Sequence, residues 1–520
     1  MGEPTTLPEL ATSAMDRLGE RVTMVYKNEK VLNTTIYDRA QRLQGAFTEL
    51  GLGAGDVMCL CMVNHPMVNS VFGGGFRTAA TVVPVMFQLT PPELEYIFSH
   101  TEAKVIITDI TLVEKVREAV KNLPHVEWIA VLGGETDETK TPREYSLDSL
   151  VEHDPMETVP NMDPDDTALM LYTSGTTGKP KGVMLTHKIL ITGSYAGLRA
   201  SELDHQTHPS IGISALPMAH IYGVGVMNAG YVMPKEYEPG YLVQEVWFDP
   251  LKFMQLIDEH KCTGMSSVPT MLSLMLNHPE IGNYDLRSLN VVTCGAAPVP
   301  VEVADEFMER TGCRIRQVYG MTENAGMATA DRVSQPFRHG SAGKAYDVTD
   351  LRIMDDDGNF MPAGERGEIV TKSDTTMKGY FKNPEATADT IVDGWLHTGD
   401  IGYLDDDDWL FVVDRKKDMI IKGGENIFPA EIENILYEHN DIAEAAVIGV
   451  PDDVYGEEVV AYVVSSEGVD LTEAQVIEHV KASVSKFKAP KNVFFLDALP
   501  KSGVGKILRR ELRDRVQMDD

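Results

Sequence analysis

Residues 167–182 read TALMLYTSGTTGKPKG. The first six form a short apolar run bounded by turn residues, the pattern of a buried parallel strand. A loop follows. Gly175 and Gly178 let the backbone turn tightly and aim amides at one point, while Thr173, Ser174, Thr176 and Thr177 add hydroxyl donors. Lys179 and Lys181 add positive charge. Together they make a strand ending in a loop built to hold phosphate oxygens. It is not a Walker A loop, because Pro180 follows Lys179 where a Ser or Thr is required. A merely flexible surface loop would not collect so many such groups between Tyr172 and Gly182.

Working outward, strand and helix patterns alternate on both sides. DRAQRLQGAFTELGL (38–52) has apolar residues at helical spacing and ends on Gly, while DVMCLCMV and AKVIITD read as buried strands. GMSSVPTML, LNVVTCGAA and RIRQVYG read as further strands with their loops. This alternation predicts an α/β fold with doubly wound βα subdomains. Residues 340–413 change character: RIMDDDGNFMPAGERGEIV carries an Asp-Gly turn between strand-like runs, so a β-rich subdomain is expected. DDDD at 405–408 reads as a solvated turn. Near 414 the chain becomes charged and then Gly-rich, which places a boundary there. Beyond it, a helix (429–438), strands AAVIGV and EVVAYVVSS, a helix (472–485) and a basic tail predict a small α+β domain. The expected division is 1–414, a hinge at 415–417, and 418–520. At roughly 100–200 residues per domain, 520 residues suit at least two.

Charge narrows the function. Lys and Arg number 46 against 79 Asp and Glu, a formal net charge of −33. Such a surface repels polyanions, which argues against nucleic acid or an acidic membrane face as the main partner. It leaves room for a small anionic ligand in a local basic site. Cys59, Cys61, Cys262, Cys294 and Cys313 show no C-x-x-C spacing, so no zinc site is expected and a reducing compartment fits. Cys59 and Cys61 alternate onto one face of a buried strand. No signal core, peroxisomal tripeptide or apolar run near the ~20 residues of a membrane span is present, so cytoplasm is the expected location. Monomer and homodimer are both open.

Further motifs occur in a fixed order: LPMAHIYG (216–223), GAAP (295–298), YGMTE (319–323), HTGD (397–400), DRKKDMIIKGGENIFPAEIE (414–433) and LPKSGVGKILRREL (499–512). With the phosphate loop, this set resembles the adenylate-forming superfamily of acyl-CoA synthetases, peptide-synthetase adenylation domains and luciferases, from about residue 20 to 512. The resemblance implies a carboxylate attacking the α-phosphate of ATP to give acyl-AMP and pyrophosphate. A thiol, here CoA, then displaces AMP. Positioning and electrostatic stabilisation should carry such chemistry.

The same resemblance implies residue roles. Thr173 to Lys179 would hold phosphate. Gly295, Ala296, Ala297, Pro298, Tyr319, Gly320 and Met321 would form the adenine side. Thr322 would touch phosphate or carboxylate, and Glu323 would hold Mg²⁺. Asp400 would bind ribose with Arg415 beside it. Lys506 would bridge the carboxylate and the α-phosphate. Lys417 would be the pivot of a mobile C-terminal domain. Gly423 and Gly424, with Lys422, would close over CoA in a second pose. His220 would gate the ATP, acyl and thiol sites.

The acyl pocket is expected from His220, Tyr222, Gly223, Val224, Gly225, Gly295 and Met327, with the glycines leaving space. No Arg or Lys is expected there, which argues against a second carboxylate. A medium- or long-chain fatty acid is favoured. An aryl acid of coumarate or benzoate type, or an enzyme loading a carrier protein, is the alternative. IKGGENI, where peptide-synthetase relatives have a KIRG-like segment, counts against the carrier protein.

Overall fold

The computed structural model describes residues 3–519 apart from 174–178, 206–209, 236–239, 453, 467 and 502–506. The loop Ser174–Gly178 and Lys506, both singled out above, therefore lie outside the described residues.

The first sheet is built around Val57–Cys61, flanked by Thr81–Pro84 and Val105–Asp109. Parallel pairing runs from Thr167–Thr173 at one side to Arg143–Ser146 at the other. Lys181–Thr186 and Gly379–Tyr380 then extend it antiparallel beyond Thr167–Thr173. Cys59 and Cys61 are fully buried in one apolar cluster with Val83 and Ile106, as their alternation predicts. The helix expected at 38–52 begins earlier and spans Asn33–Glu49. The Asn33 side chain explains the earlier start. It accepts from the Arg21 amide at 2.8 Å and donates to the Gly19 carbonyl at 2.8 Å, turning the chain directly out of the preceding strand.

The second sheet runs parallel from Arg314–Tyr319 through Val291–Cys294, Gly264–Ser267, Gly212–Ser214 and Leu242–Gln244 to Val22–Tyr26. In open α/β sheets, ligands collect beyond the carboxyl ends of the strands. Two of the quoted motifs, GAAP and YGMTE, follow strand ends at Cys294 and Tyr319.

The β-rich part forms as expected. Thr349–Met354 pairs antiparallel with Gly367–Ser373, which pairs with Trp395–Leu404, which pairs with Leu410–Arg415. The Asp-Gly turn is closed by a bridge between Met354 and Phe360, with Gly358 at φ +85°. The acidic run at 405–408 is ordered by its own chemistry. Asp405 Oδ1 accepts from the Asp407 and Trp409 amides at 3.0 and 2.9 Å, and Arg338 pairs with Asp405 and Asp407.

After Arg415, residues 416–419 lead to Ile420–Lys422, which belongs to a separate sheet with Glu425–Ile427, Ile442–Asp452, Gly456–Ser465 and Asn492–Phe495. Helices Pro429–Tyr437 and Glu473–Ser483 cover this sheet around Ile432, Leu436, Val447 and Val476. The architecture is thus a large mixed α/β N-terminal part and a small α+β C-terminal part.

Candidate active site

A cavity of about 910 Å³ opens at the strand ends and runs between helices His187–Ser201 and Ile221–Val232. One face of each helix lines it, through Gly193, Gly197, Gly225 and Ala229 among others. Lys501, Ile507 and Arg509 of the small C-terminal part also reach its wall.

At the sheet end stands a polar cluster built on buried Asp400. In-register pairing sets Asp400 beside Arg415, and Arg415 Nε meets Asp400 Oδ1 at 3.0 Å. The Tyr319 hydroxyl donates to Asp400 Oδ2 at 2.8 Å. Burial, reinforced by the Asp400 charge, pushes the Tyr319 phenol far up, so it stays a donor. Gly295, Ala296, Ala297 and Pro298 line the cavity beside this cluster. A Cβ on Gly295 would lie 2.9 Å from Val318 Cγ2, so glycine is needed there. Ala296 sits at φ +71°, a left-handed conformation that a non-glycine residue holds only under constraint from its surroundings.

Gly320 also lines the cavity. A Cβ on it would approach the Gly326 backbone to 2.4 Å, so the chain doubles back closely after YGM. That return buries Thr322 and Glu323. The Tyr380 hydroxyl donates to Glu323 Oε1 at 2.9 Å. Burial raises the Glu323 carboxyl, while its hydrogen bonds and the Arg415 and Lys181 charges pull it back down. Lys181 itself lies over the Tyr380 ring, 4.8 Å from its centre, and pairs in register with Thr173. Met321, Thr322 and Glu323 do not line the open cavity as described. Among the described residues no group of three or more His, Cys, Asp or Glu gathers in a metal-holding arrangement.

Sequence reasoning missed the contacts of the residues that flank 174–178. Tyr172 and His100 Nδ1 are 2.6 Å apart, and the Tyr96 hydroxyl donates to the Pro180 carbonyl at 3.2 Å. Lys179 lies over the Tyr96 ring at 5.8 Å. Tyr380, the partner of Glu323, carried no signal in the chain beyond an aromatic in MKGYF.

On the acyl side, His220 caps its helix, with Nδ1 accepting from the Tyr222 amide at 3.3 Å. The Tyr222 hydroxyl donates to the Thr293 carbonyl at 3.0 Å. His220, Tyr222, Val224, Gly225 and Met327 line the cavity.

Two expectations are corrected here. Gly223 does not face the cavity: a Cβ on it would lie 2.2 Å from the Pro217 carbonyl oxygen, so the glycine permits a close backbone approach. A cation does stand on the pocket side, because Arg316 of strand Arg314–Tyr319 lines the cavity.

The residues expected near CoA are elsewhere in this arrangement. Gly423 and Gly424, at φ +57° and +85°, form the turn between Ile420–Lys422 and Glu425–Ile427, away from the cavity. Lys422 is buried, ion-paired with Glu458, and donates to the Phe487 carbonyl at 2.9 Å. Its ammonium is engaged inside the small domain rather than facing the cavity; the role expected for it belongs to the second pose. Lys417 is exposed in the turn after Arg415. Lys501 and Ile507, which bracket Lys506, both line the cavity.

Comparison with known proteins agrees with this arrangement. Residues 11–381 match the AMP-binding enzyme family, and residues 431–506 match the AMP-binding enzyme C-terminal domain. The chain is 36% identical over 479 residues to a feruloyl-CoA synthase of Amycolatopsis sp, covering 92% of each chain. It is 34% identical to a long-chain-fatty-acid–CoA ligase of Bacillus subtilis, covering 98% of this chain and 94% of that one. In fold it resembles an anthranilate CoA ligase solved with anthranoyl-AMP, at a TM-score of 0.90 and 24% identity, over 99% of this chain and 98% of that one. The chain belongs to the AMP-binding, adenylate-forming enzymes. Within them it is an AMP-forming acid–CoA ligase.

Proposed function

We propose that the protein uses ATP and Mg²⁺ to convert a monocarboxylic acid with an apolar body into its acyl-AMP, and then transfers the acyl group to CoA. The observation that carries this reading is one continuous cavity joining the Asp400–Arg415–Tyr319 cluster to an apolar channel between two helices. Asp400 is placed to accept from ribose hydroxyls, and its charge is already oriented by two donors. Glu323, buried with a single hydroxyl donor, fits a hard cation completed by phosphate oxygens, since Mg²⁺ commonly takes one or two carboxylates. Bound there, Mg²⁺ would neutralise triphosphate charge. The chain's own residues shape the site: the backbone of 295–298 lines the adenine side, and His220 at the helix start stands between it and the acyl channel.

Because Lys501 and Ile507 face the cavity while Gly423 and Gly424 do not, the arrangement suits the first half-reaction. The second requires the small domain to turn about 415–417. No described helix is long and apolar enough to cross a membrane.

Two acid classes compete. The depth of the channel beside Gly193, Gly197 and Gly225 favours a medium- or long-chain acid. The resemblance to a feruloyl-CoA synthase supports an aryl acid equally.

The test is AMP and pyrophosphate release across acids from acetate to palmitate, benzoate and 4-hydroxycinnamate, with and without CoA. AMP release that needs both acid and CoA is expected; ADP with an acyl-phosphate would refute the mechanism. Lys506→Ala should lose roughly 10²–10³-fold in acyl-AMP formation. It should still convert supplied acyl-AMP and CoA to thioester. Equal loss in both steps would refute the two-pose reading.

A further inference from the structure

The second sheet is packed on one face and bare on part of the other. Register sets Leu242, Gly212, Gly264 and Val291 in one row across four neighbouring strands, and sets Ser266 beside Thr293 two residues further on. Side chains alternate between faces, so these two rows share a face with Gly295, two residues beyond Thr293. Ile213, Met265 and Val292 point the other way and are buried in one apolar cluster with Phe253 and Leu272. A strand with parallel neighbours on both sides is ordinarily buried on both faces. Strand Gly264–Ser267 departs from this. It lies between Gly212–Ser214 and Val291–Cys294, yet Gly264 and Ser266 are partly exposed while Met265 and Ser267 are buried. Gly212, Leu242 and Thr293 are partly exposed too, and all five of these partly exposed residues line the cavity.

Missing side chains keep this face clear. A Cβ added at Gly264 would meet only the Val291 carbonyl oxygen, at 3.7 Å, and one at Gly212 only the tip of Leu242, at 3.3 Å. The bare face is a floor of the cavity, and a ligand can reach it. That floor is long. From Gly295 to Leu242 it runs four residues back along the strands and three strands across. At about 3.3 Å per residue and about 4.8 Å per strand, the span is roughly 20 Å, with Gly264 about 14 Å from Gly295. An aryl acid would cover only the first part of it. A straight chain of about a dozen or more methylenes would cover the whole and take that surface out of water.

We propose that this sheet face is the bed of a long straight-chain acyl tail, and that Gly264 is a specificity-determining residue whose missing side chain lets the tail run on toward Leu242. This rests on the acid–CoA ligase reading and narrows its acid class. The test is AMP release with CoA from octanoate, dodecanoate, hexadecanoate and 4-hydroxycinnamate. The wild type should favour hexadecanoate over octanoate and over 4-hydroxycinnamate by roughly tenfold or more in kcat/KM, because each further buried methylene adds favourable transfer. Gly264→Val sets a branched side chain on the floor beyond the reach of an eight-carbon acid. It should cut hexadecanoate use by roughly tenfold or more and leave octanoate within a few-fold. Gly264→Ala, the milder change, should give a smaller loss of the same kind. Because the acids meet the same preparation, each ratio is independent of how much of a variant is folded.

A wild type that uses octanoate or 4-hydroxycinnamate as well as hexadecanoate would overturn the inference while leaving the ligase reading intact. So would a Gly264→Val protein whose hexadecanoate-to-octanoate ratio matches that of the wild type. If Gly264→Val does not fold, the same ratio in Gly264→Ala decides. No AMP release with any acid of the panel would remove the ligase reading and this inference with it.

Discussion

Gly223 and Gly225 stand two residues apart in one helix, yet their replacement should have opposite consequences. A methyl group on Gly223 would sit 2.2 Å from the Pro217 carbonyl oxygen and 3.0 Å from Met218 Cα, both backbone atoms that cannot swing aside. The same carbonyl accepts the His220 amide at 3.0 Å, so relieving the clash disturbs the turn that sets His220 as the helix cap. Overpacking of this kind costs roughly 1–3 kcal/mol, a fall in melting temperature of roughly 2–10 °C for a large domain. At Gly225 an added Cβ meets nothing within 4 Å. Gly225→Ala should therefore be neutral or stabilising, by up to ~1 kcal/mol from helix propensity. Gly225→Leu should keep the melting temperature but fill the channel, costing roughly tenfold or more in kcat/KM for bulky acids relative to short ones. Thermal unfolding and an acid panel on the three variants make the assay. A Gly223→Ala protein as stable as the wild type, together with an unchanged acid profile in Gly225→Leu, would refute the assignment of these two faces.

Glu323→Gln keeps an acceptor for the Tyr380 hydroxyl, so melting should hardly move, while pyrophosphate exchange falls roughly 10²–10³-fold; an unaltered rate would take Glu323 out of the phosphate site. Asp414 offers a test by pH. Burial raises its carboxyl to about 6 from an ordinary 3.8, against bonds from the Ala430 and Arg415 amides at 2.9 and 2.7 Å. The folded state thus binds its proton more tightly than the unfolded chain. Its stabilising contribution is full below about pH 4 and is lost as pH rises through about 6. Asp414→Asn should flatten that part of the melting-temperature profile between pH 4 and 6, and a variant curve parallel to the wild type would refute the assignment.

Much of this protein was legible in the chain itself. Alternating apolar runs placed the strands, because these signals depend on backbone preferences within a few residues; the phosphate-binding role read from glycine, threonine and lysine at short spacing falls on 174–178, outside the described residues. What the chain left undecided was which distant group completes each site. Glu323 is matched by Tyr380, 57 positions away, and Lys422 is turned inward by Glu458, 36 positions on. Periodicity put Arg316 on a strand, but only the docking of that strand against helix His187–Ser201 brought its guanidinium onto the Ala200 carbonyl. Gly223 and Gly225 look alike in sequence, and only the return of the chain at Pro217 separates them. Local conformation follows from local sequence, whereas the partner of a buried charge is set by packing between segments far apart in the chain.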